Sequence, residues 1–437
     1  MSATIRPVFI GFQLAVAAPA PPPILVAPFV CLLLSIAIIP AVSHRWWARH
    51  YPKVSASLAA VTGVYYSLSD AGITALGHVA REYLSFIALL ASLFIIAGGI
   101  HIHAPGGARP RQNATFLLAG AILANAIGTT GASMLLIRPW IRMNQRRFAG
   151  FHLVFFIFLV GNIGGGLTPI GDPPLFLGFI AGVPFWWTLR ACWAPWAVAV
   201  SVLLGAFLVL DGRSFRRGEK TALESPGTAE KRKVEGARNA LFLGIVLGAV
   251  FVPQIEARAG LMALSALVCY VTTPKRIYAA NEFNFGPARE VAWLFGAIFI
   301  TMMPALAWLQ ANSAQLPVGS PRALFWLTGG LSAALDNAPT YLAALAASLG
   351  RAGLSLQDPA QVNEFVRSRP DILVAISLGA VFFGAMTYLG NGPNLLARAI
   401  AQNAKISTPG FFEFVWRYAA PLLIPLFALI SLLFLGA

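Results

Sequence analysis

The chain has 437 residues, of which 58% are hydrophobic and only 11% charged, and its formal charge is +15. The apolar residues fall in blocks of about 20, the length that crosses a hydrocarbon core, which excludes a soluble globular protein. The positive charge calls for no nucleic-acid partner, because basic residues collect in the loops on one side of a membrane protein.

Taken in chain order, residues 1–23 are Pro- and Ala-rich and read as an N-terminal tail or a cleavable signal segment. Crossing segments follow at 24–43, 54–76 and 82–100, with a broken one at 150–180 and a last one at 191–210. The second half repeats this order at 239–254, 259–273, 290–310, 371–400 (broken) and 411–436. Segments 113–137 and 322–350 are apolar but interrupted by small and polar residues. They are expected to be re-entrant hairpins, since irregular backbone at membrane depth is tolerated only under protein or beside a water-filled cavity.

With the N-terminus outside, this arrangement gathers Arg45, Arg49, Lys53, Arg109, Arg111 and the Arg138–Arg147 cluster on the cytoplasmic side. The eight basic residues between Arg213 and Arg238 join them, as the positive-inside rule requires. Residues 211–238 are the expected mobile, cytoplasmic linker, dividing a first repeat (24–210) from a second (239–437). An odd number of crossings in each half inverts the second half relative to the first. The expected fold is therefore an all-α polytopic membrane protein of two inverted repeats, each with a re-entrant hairpin and a broken transmembrane helix. Trp46, Trp47, Trp186, Trp187 and Trp416 fall at the predicted borders and read as an aromatic belt.

Two segments stand out, Thr168-Pro-Ile-Gly-Asp-Pro-Pro174 and Thr387-Tyr-Leu-Gly-Asn-Gly-Pro393. They share the pattern T-x-x-G-[DN]-x-P at an offset of 219 residues. Gly and Pro remove helix propensity and backbone donors there. Paired interruptions in corresponding positions of two halves are the sequence mark of a transporter's binding site. Asp172 is costly at membrane depth unless paired, protonated or metal-bound; the alternative is a kinked helix that Asp172 merely caps.

The first hairpin tip, Asn125-Ala-Ile-Gly-Thr-Thr-Gly-Ala-Ser133, offers inward hydroxyls on Thr129, Thr130 and Ser133, or simply close packing through small residues. The second, Leu335-Asp-Asn-Ala-Pro-Thr340, carries Asp336, which is suited to exchanging a proton for a metal ion, to capping the next helix, or to both. The tips align weakly through Asn125-Ala126 and Asn337-Ala338. His101 and His103 have no acidic or Cys neighbour and read as interfacial. Three scattered cysteines make no metal site or disulfide framework. No P-loop, Rossmann fingerprint or G-x-S-x-G elbow occurs, so neither an ATP-driven pump nor a hydrolase is supported.

These segments resemble the ion transporter superfamily of NhaD-type sodium/proton antiporters, arsenite permeases, divalent anion/sodium symporters and citrate–metal–proton symporters. The nearest resemblance is to the bacterial family of citrate transporters and sodium:proton antiporters. The stretches that carry it are Asn125 to Pro139, Gly161 to Pro174, Glu290 to Pro304, Leu335 to Thr340 and Thr387 to Asn394. The resemblance implies a homodimer with elevator-like alternating access in a plasma (inner) membrane. It implies one cation site from Asn125, Thr129, Thr130, Gly171 and Asp172, and a symmetry mate from Asp336, Asn337, Thr387, Asn391 and Asn394. Asp172 and Asp336 would hold the transported Na⁺. The carboxylate-binding members carry a Ser-Asn-Thr triplet at both tips, and this chain has it at neither.

The expected activity is therefore Na⁺ (or Li⁺)/H⁺ antiport, with cation-coupled symport of citrate or another organic anion as the alternative. No cofactor is called for beyond the transported ions, and no enzyme activity. The expected surroundings are the lipid bilayer and small ions or an organic anion.

Overall fold

The computed structural model describes residues 21–436, apart from 105, 223–232, 317 and 318. The expected N-terminal tail and the middle of the linker fall largely outside the described residues. The protein is an all-α polytopic membrane protein. Among the described residues seven helices are long and apolar enough to cross a membrane, eight if a pair bent by 101° between Pro359–Ser368 and Pro370–Met386 is one span. Large apolar side chains such as Val61, Val64, Val271, Phe412 and Leu432 are exposed, a surface that fits lipid and not water.

In the first half, Ala27–Val42, His44–Ser67 and Asp70–Gly98 precede the hairpin Pro110–Asn144. The broken helix follows as Gly150–Leu159 and Pro173–Ala181, then the long helix Trp187–Ala222. The second half runs Asn239–Ala249, Ile255–Thr272 and Gly286–Ala311, then the hairpin Pro321–Ala334 with Asn337–Arg351. Its broken helix is Pro370–Phe383 and Gly392–Asn403, and its last span is Phe411–Phe434.

The helix boundaries and the belt differ from the sequence reading at two points. The segment expected at 54–76 is split, because Ser69 caps a new helix by accepting a hydrogen bond from Gly72 N at 3.1 Å. Trp47, assigned to the aromatic belt, is only 3% exposed and belongs to the core.

The hairpins do turn back. Residues 113 and 144 would be about 46 Å apart on a straight helix, yet Asn113 Nδ2 donates to Asn144 Oδ1 at 2.7 Å. The reversal is at Gly128, whose φ of 75° favours a residue without Cβ. Asp211, fully buried on the long helix, ties this foot together. It accepts from Asn113 (2.9 Å) and pairs with Arg147, with His152 Nε2 at 3.2 Å. In the second hairpin, Arg351 returns to donate to Leu316 O at 3.3 Å.

The halves interlock reciprocally. Asp70–Gly98 packs along Ile255–Thr272, and Gly286–Ala311 along His44–Ser67. Each hairpin packs on the second half-helix of the other repeat's break, Pro110–Asn144 on Gly392–Asn403 and Asn337–Arg351 on Pro173–Ala181. From Leu153 onward the half-helix Gly150–Leu159 is apolar on every side because protein surrounds it, and every residue from Leu153 to Val160 is fully buried.

The linker begins as helix, through Ala222, and ends in a short strand, Lys233–Glu235, antiparallel to His101–His103. That ribbon corrects the reading of the histidines, since Glu235 gives His103 an acidic partner at 3.7 Å. His101 Nδ1–H donates to Asn281 at 2.7 Å, and its Nε2 accepts from Arg142 at 3.2 Å.

Candidate ion-binding site at the crossing of the broken helices

Each break is braced by the threonine that opens its motif. Thr168 Oγ1 donates to Asn125 O at 2.5 Å and accepts from Gly171 N at 3.1 Å. Thr387 Oγ1 donates to Ala333 O at 2.7 Å and accepts from Gly390 N at 3.1 Å. These bonds fix the register between hairpin and break, and they correct the tip alignment. Asn125 corresponds to Ala333, and Thr129 to Asn337, a shift of four residues from the sequence match.

The backbone of each break also folds on itself through paired glycines. A Cβ on Gly165 would lie 2.6 Å from Gly171 O, and one on Gly390 would lie 2.8 Å from Gly384 O. Gly165 and Gly384, like Gly171 and Gly390, are 219 residues apart, so the backbone repeats the period of the motif.

The second half-helices start at Asp172 and Asn391, both in extended backbone with proline in the first turn. Asp172 is 1% exposed, and three side chains satisfy it. Its Oδ1 accepts from Thr129 Oγ1 at 2.9 Å and Asn391 Nδ2 at 3.0 Å. Its Oδ2 accepts from Asn337 Nδ2 at 2.6 Å. The donors come from the first hairpin tip, the second break and the second hairpin tip. Asn337 and Asn391, grouped by the sequence with the symmetry mate, thus reach the carboxylate of the first cluster.

The other predicted residues take different places. Asn125 braces the first break, donating to Gly164 O at 2.6 Å and accepting from Leu167 N at 2.9 Å. Gly171 O accepts from Thr129 N at 2.8 Å, locking tip to break. Thr387 is a brace, and Thr130, half-buried, is not among the donors to Asp172. Asn394 is fully buried and donates to Gly384 O and Thr387 O at 2.8 and 2.9 Å. Asp336 is a half-buried cap for Asn337–Arg351, accepting from Ala338 N at 3.0 Å. It makes no hydrogen bond to Asp172.

Asn162 was missed. It is fully buried and donates to Asn394 Oδ1 at 2.7 Å and Ile157 O at 2.8 Å. The signal was there, since an amide follows the apolar run 153–160 at the point where the helix ends. Arg398, one turn beyond Asn394, was also passed over. Its guanidinium lies over the Tyr388 ring at 4.5 Å, and its buried Nε has no hydrogen-bond partner.

A buried carboxylate held by neutral donors at the meeting of two broken helices is a place where a small cation or a proton can bind. The family model described as "Putative citrate transport" matches residues 20–435. The chain belongs to that family. Search among curated proteins finds no match. The citrate-type family spans both repeats in a single match, so the two breaks, both hairpins and the linker lie within one family domain.

Proposed function

We propose that this member of the citrate-type family is a secondary active antiporter exchanging Na⁺ or Li⁺ for H⁺ at Asp172. The observation that carries the reading is the carboxylate's surroundings. All three side chains in contact with it are neutral, and among the described residues no Lys or Arg pairs with it. A lone carboxylate in low dielectric takes up either a proton or a metal cation, and competition between the two is exchange chemistry. A citrate trianion would meet repulsion of about 4 kcal/mol per pair of unit charges 4 Å apart at an effective dielectric near 20.

Asp336, half-buried at the second tip, is the second carboxylate and the proposed point of proton exchange with an aqueous approach. By its resemblance the protein acts as an elevator-like homodimer in a plasma (inner) membrane, and its loop charges put the N-terminus outside and the 211–238 loop in the cytoplasm. Proteoliposome uptake under an imposed pH gradient tests the reading. Radioactive sodium should accumulate as protons leave, without citrate.

The second reading is cation-coupled uptake of citrate or another organic anion. The family description and Arg398 favour it, since a half-buried guanidinium one turn from the site supplies the positive charge an anion needs. Citrate accumulation that requires protons or a metal ion, and that Arg398→Gln abolishes, would establish it.

A further inference from the structure

Two sealed side-chain oxygens at the crossing have no hydrogen-bond partner, Oδ1 of Asn162 and Oδ1 of Asn337. Their residues are 0% and 1% exposed. Neither amide is free to turn over. Asn162 Nδ2 is held by Ile157 O and Asn394 Oδ1, and Asn337 Nδ2 by the Asp172 carboxylate. Reversal would set oxygen against oxygen in every case. Buried carbonyl oxygens without a donor are the exception in folded proteins, and each of these two leaves an acceptor that a cation or a donor can take.

Gly384 borders the space beside them. A Cβ built there would lie 2.9 Å from Asn162 Oδ1, 3.3 Å from Gly390 O and 3.6 Å from Asn337 Nδ2. Glycine therefore lets two oxygens from opposite halves of the chain and the amide that touches Asp172 crowd around one backbone position, where any side chain would collide with them. The first repeat differs at this point. At Gly165 the Thr129 methyl lies 2.6 Å from the Cβ position, whereas at Gly384 the corresponding tip residue, Asn337, brings only its Nδ2, at 3.6 Å, and Asn162 Oδ1 lies nearest.

We propose that Asn162 and Gly384 form a cation cradle. Asn162 Oδ1, Gly390 O and Asn337 Oδ1 join the Asp172 carboxylate in holding one monovalent hard cation, and Asn162 sets which cation is accepted. Oxygen donors without sulfur or imidazole suit a hard cation, and a single carboxylate matches a single charge. The proposal rests on the cation reading above and names the residues that give that site its selectivity.

The test is equilibrium binding of radioactive sodium to the purified full-length protein in nanodiscs, with Li⁺, K⁺ and Ca²⁺ as competitors. Gly384→Ala fills the cradle and should weaken Na⁺ binding by about tenfold or more, the usual cost of disturbing a metal's surroundings. Asn162→Asp adds a second carboxylate and should make Ca²⁺ a better competitor than Li⁺. That is a gain which loss of a merely structural amide does not produce, and it is read directly even if Gly384→Ala fails to fold. Variants that bind Na⁺ with unchanged affinity and unchanged competitor order, while Asp172→Asn has lost binding, overturn the cradle alone. Wild-type protein that binds neither Na⁺ nor Li⁺ overturns the cation reading itself, and the cradle with it.

Discussion

In the first broken helix the residue that starts the second half-helix is Asp172. At the same place in the second it is Asn391, and the two side chains meet at 3.0 Å. The backbone around them is paired: the threonine braces, the folded glycines, the prolines in the first turn. The scaffold is thus symmetric while its charge is not. Two acids at that separation would repel strongly in a medium of low dielectric. An acid and an amide instead form a hydrogen bond and leave one negative charge at the crossing. Symmetry delivers two hairpin tips to a common point, and the Asp/Asn difference gives that point its chemistry.

The largest expected effect removes the asymmetry by taking the charge away. Asp172→Asn should abolish Na⁺-dependent proton exchange, read as dye dequenching in inverted vesicles; near-normal exchange would mean that the carboxylate is only a cap. The opposite change, Asn391→Asp, makes the breaks alike by doubling the charge. Exchange should be lost, because two carboxylates in contact share one proton instead of both ionising, which ties up the site and lowers thermal stability. Adding Asp172→Asn to it restores the acid–amide pair with the partners exchanged. Measurable exchange in that double variant would show that the charge, and not the repeat that carries it, matters. Continued inactivity would show that the halves are specialised.

A smaller effect probes the tips. Thr129→Val removes one donor to the carboxylate and leaves Asn337 in place. A hydrogen bond to a charged group is worth about 1.5–3 kcal/mol, so apparent Na⁺ affinity should change by about tenfold or more in transport titrations. An unchanged value would assign Thr129 to packing.

The smallest effect lies away from the site, in the ribbon that joins the end of the linker to the first half. Burial, together with the nearby charges of Arg142 and His103, holds His101 below its ordinary value of 6.5, although Asn281 opposes this. The folded protein therefore binds this proton less tightly than the unfolded chain. Stability contributed here is full above the ordinary imidazole range and falls as pH drops through it. Thermal unfolding should show a modest loss of stability below about pH 6.5. His101→Gln should flatten that part of the profile; an unaltered profile would assign the loss to other groups.

Much of this was legible in the residues. The 219-residue period, the broken helices and the hairpins all follow from Gly, Pro and polar residues interrupting apolar runs, because only protein-covered backbone tolerates them at membrane depth. The split at Ser69 was harder, since a cap signal inside a moderately apolar stretch competes with hydropathy. Trp47 was misplaced because an aromatic near a border faces lipid headgroups or core according to helix rotation, which one sequence does not state.

The order of segments and the two capping residues were written into the chain itself. They depend on local propensity and on the solvent each stretch can tolerate. The convergence of Thr129, Asn337 and Asn391 on one carboxylate, the place of Asn162 and the crowding of polar atoms around Gly384 were settled only by folding. Most of these contacts join distant parts of the chain, 165 positions between Asn337 and Asp172, and no periodicity encodes which oxygen is left without a partner when two repeats interlock.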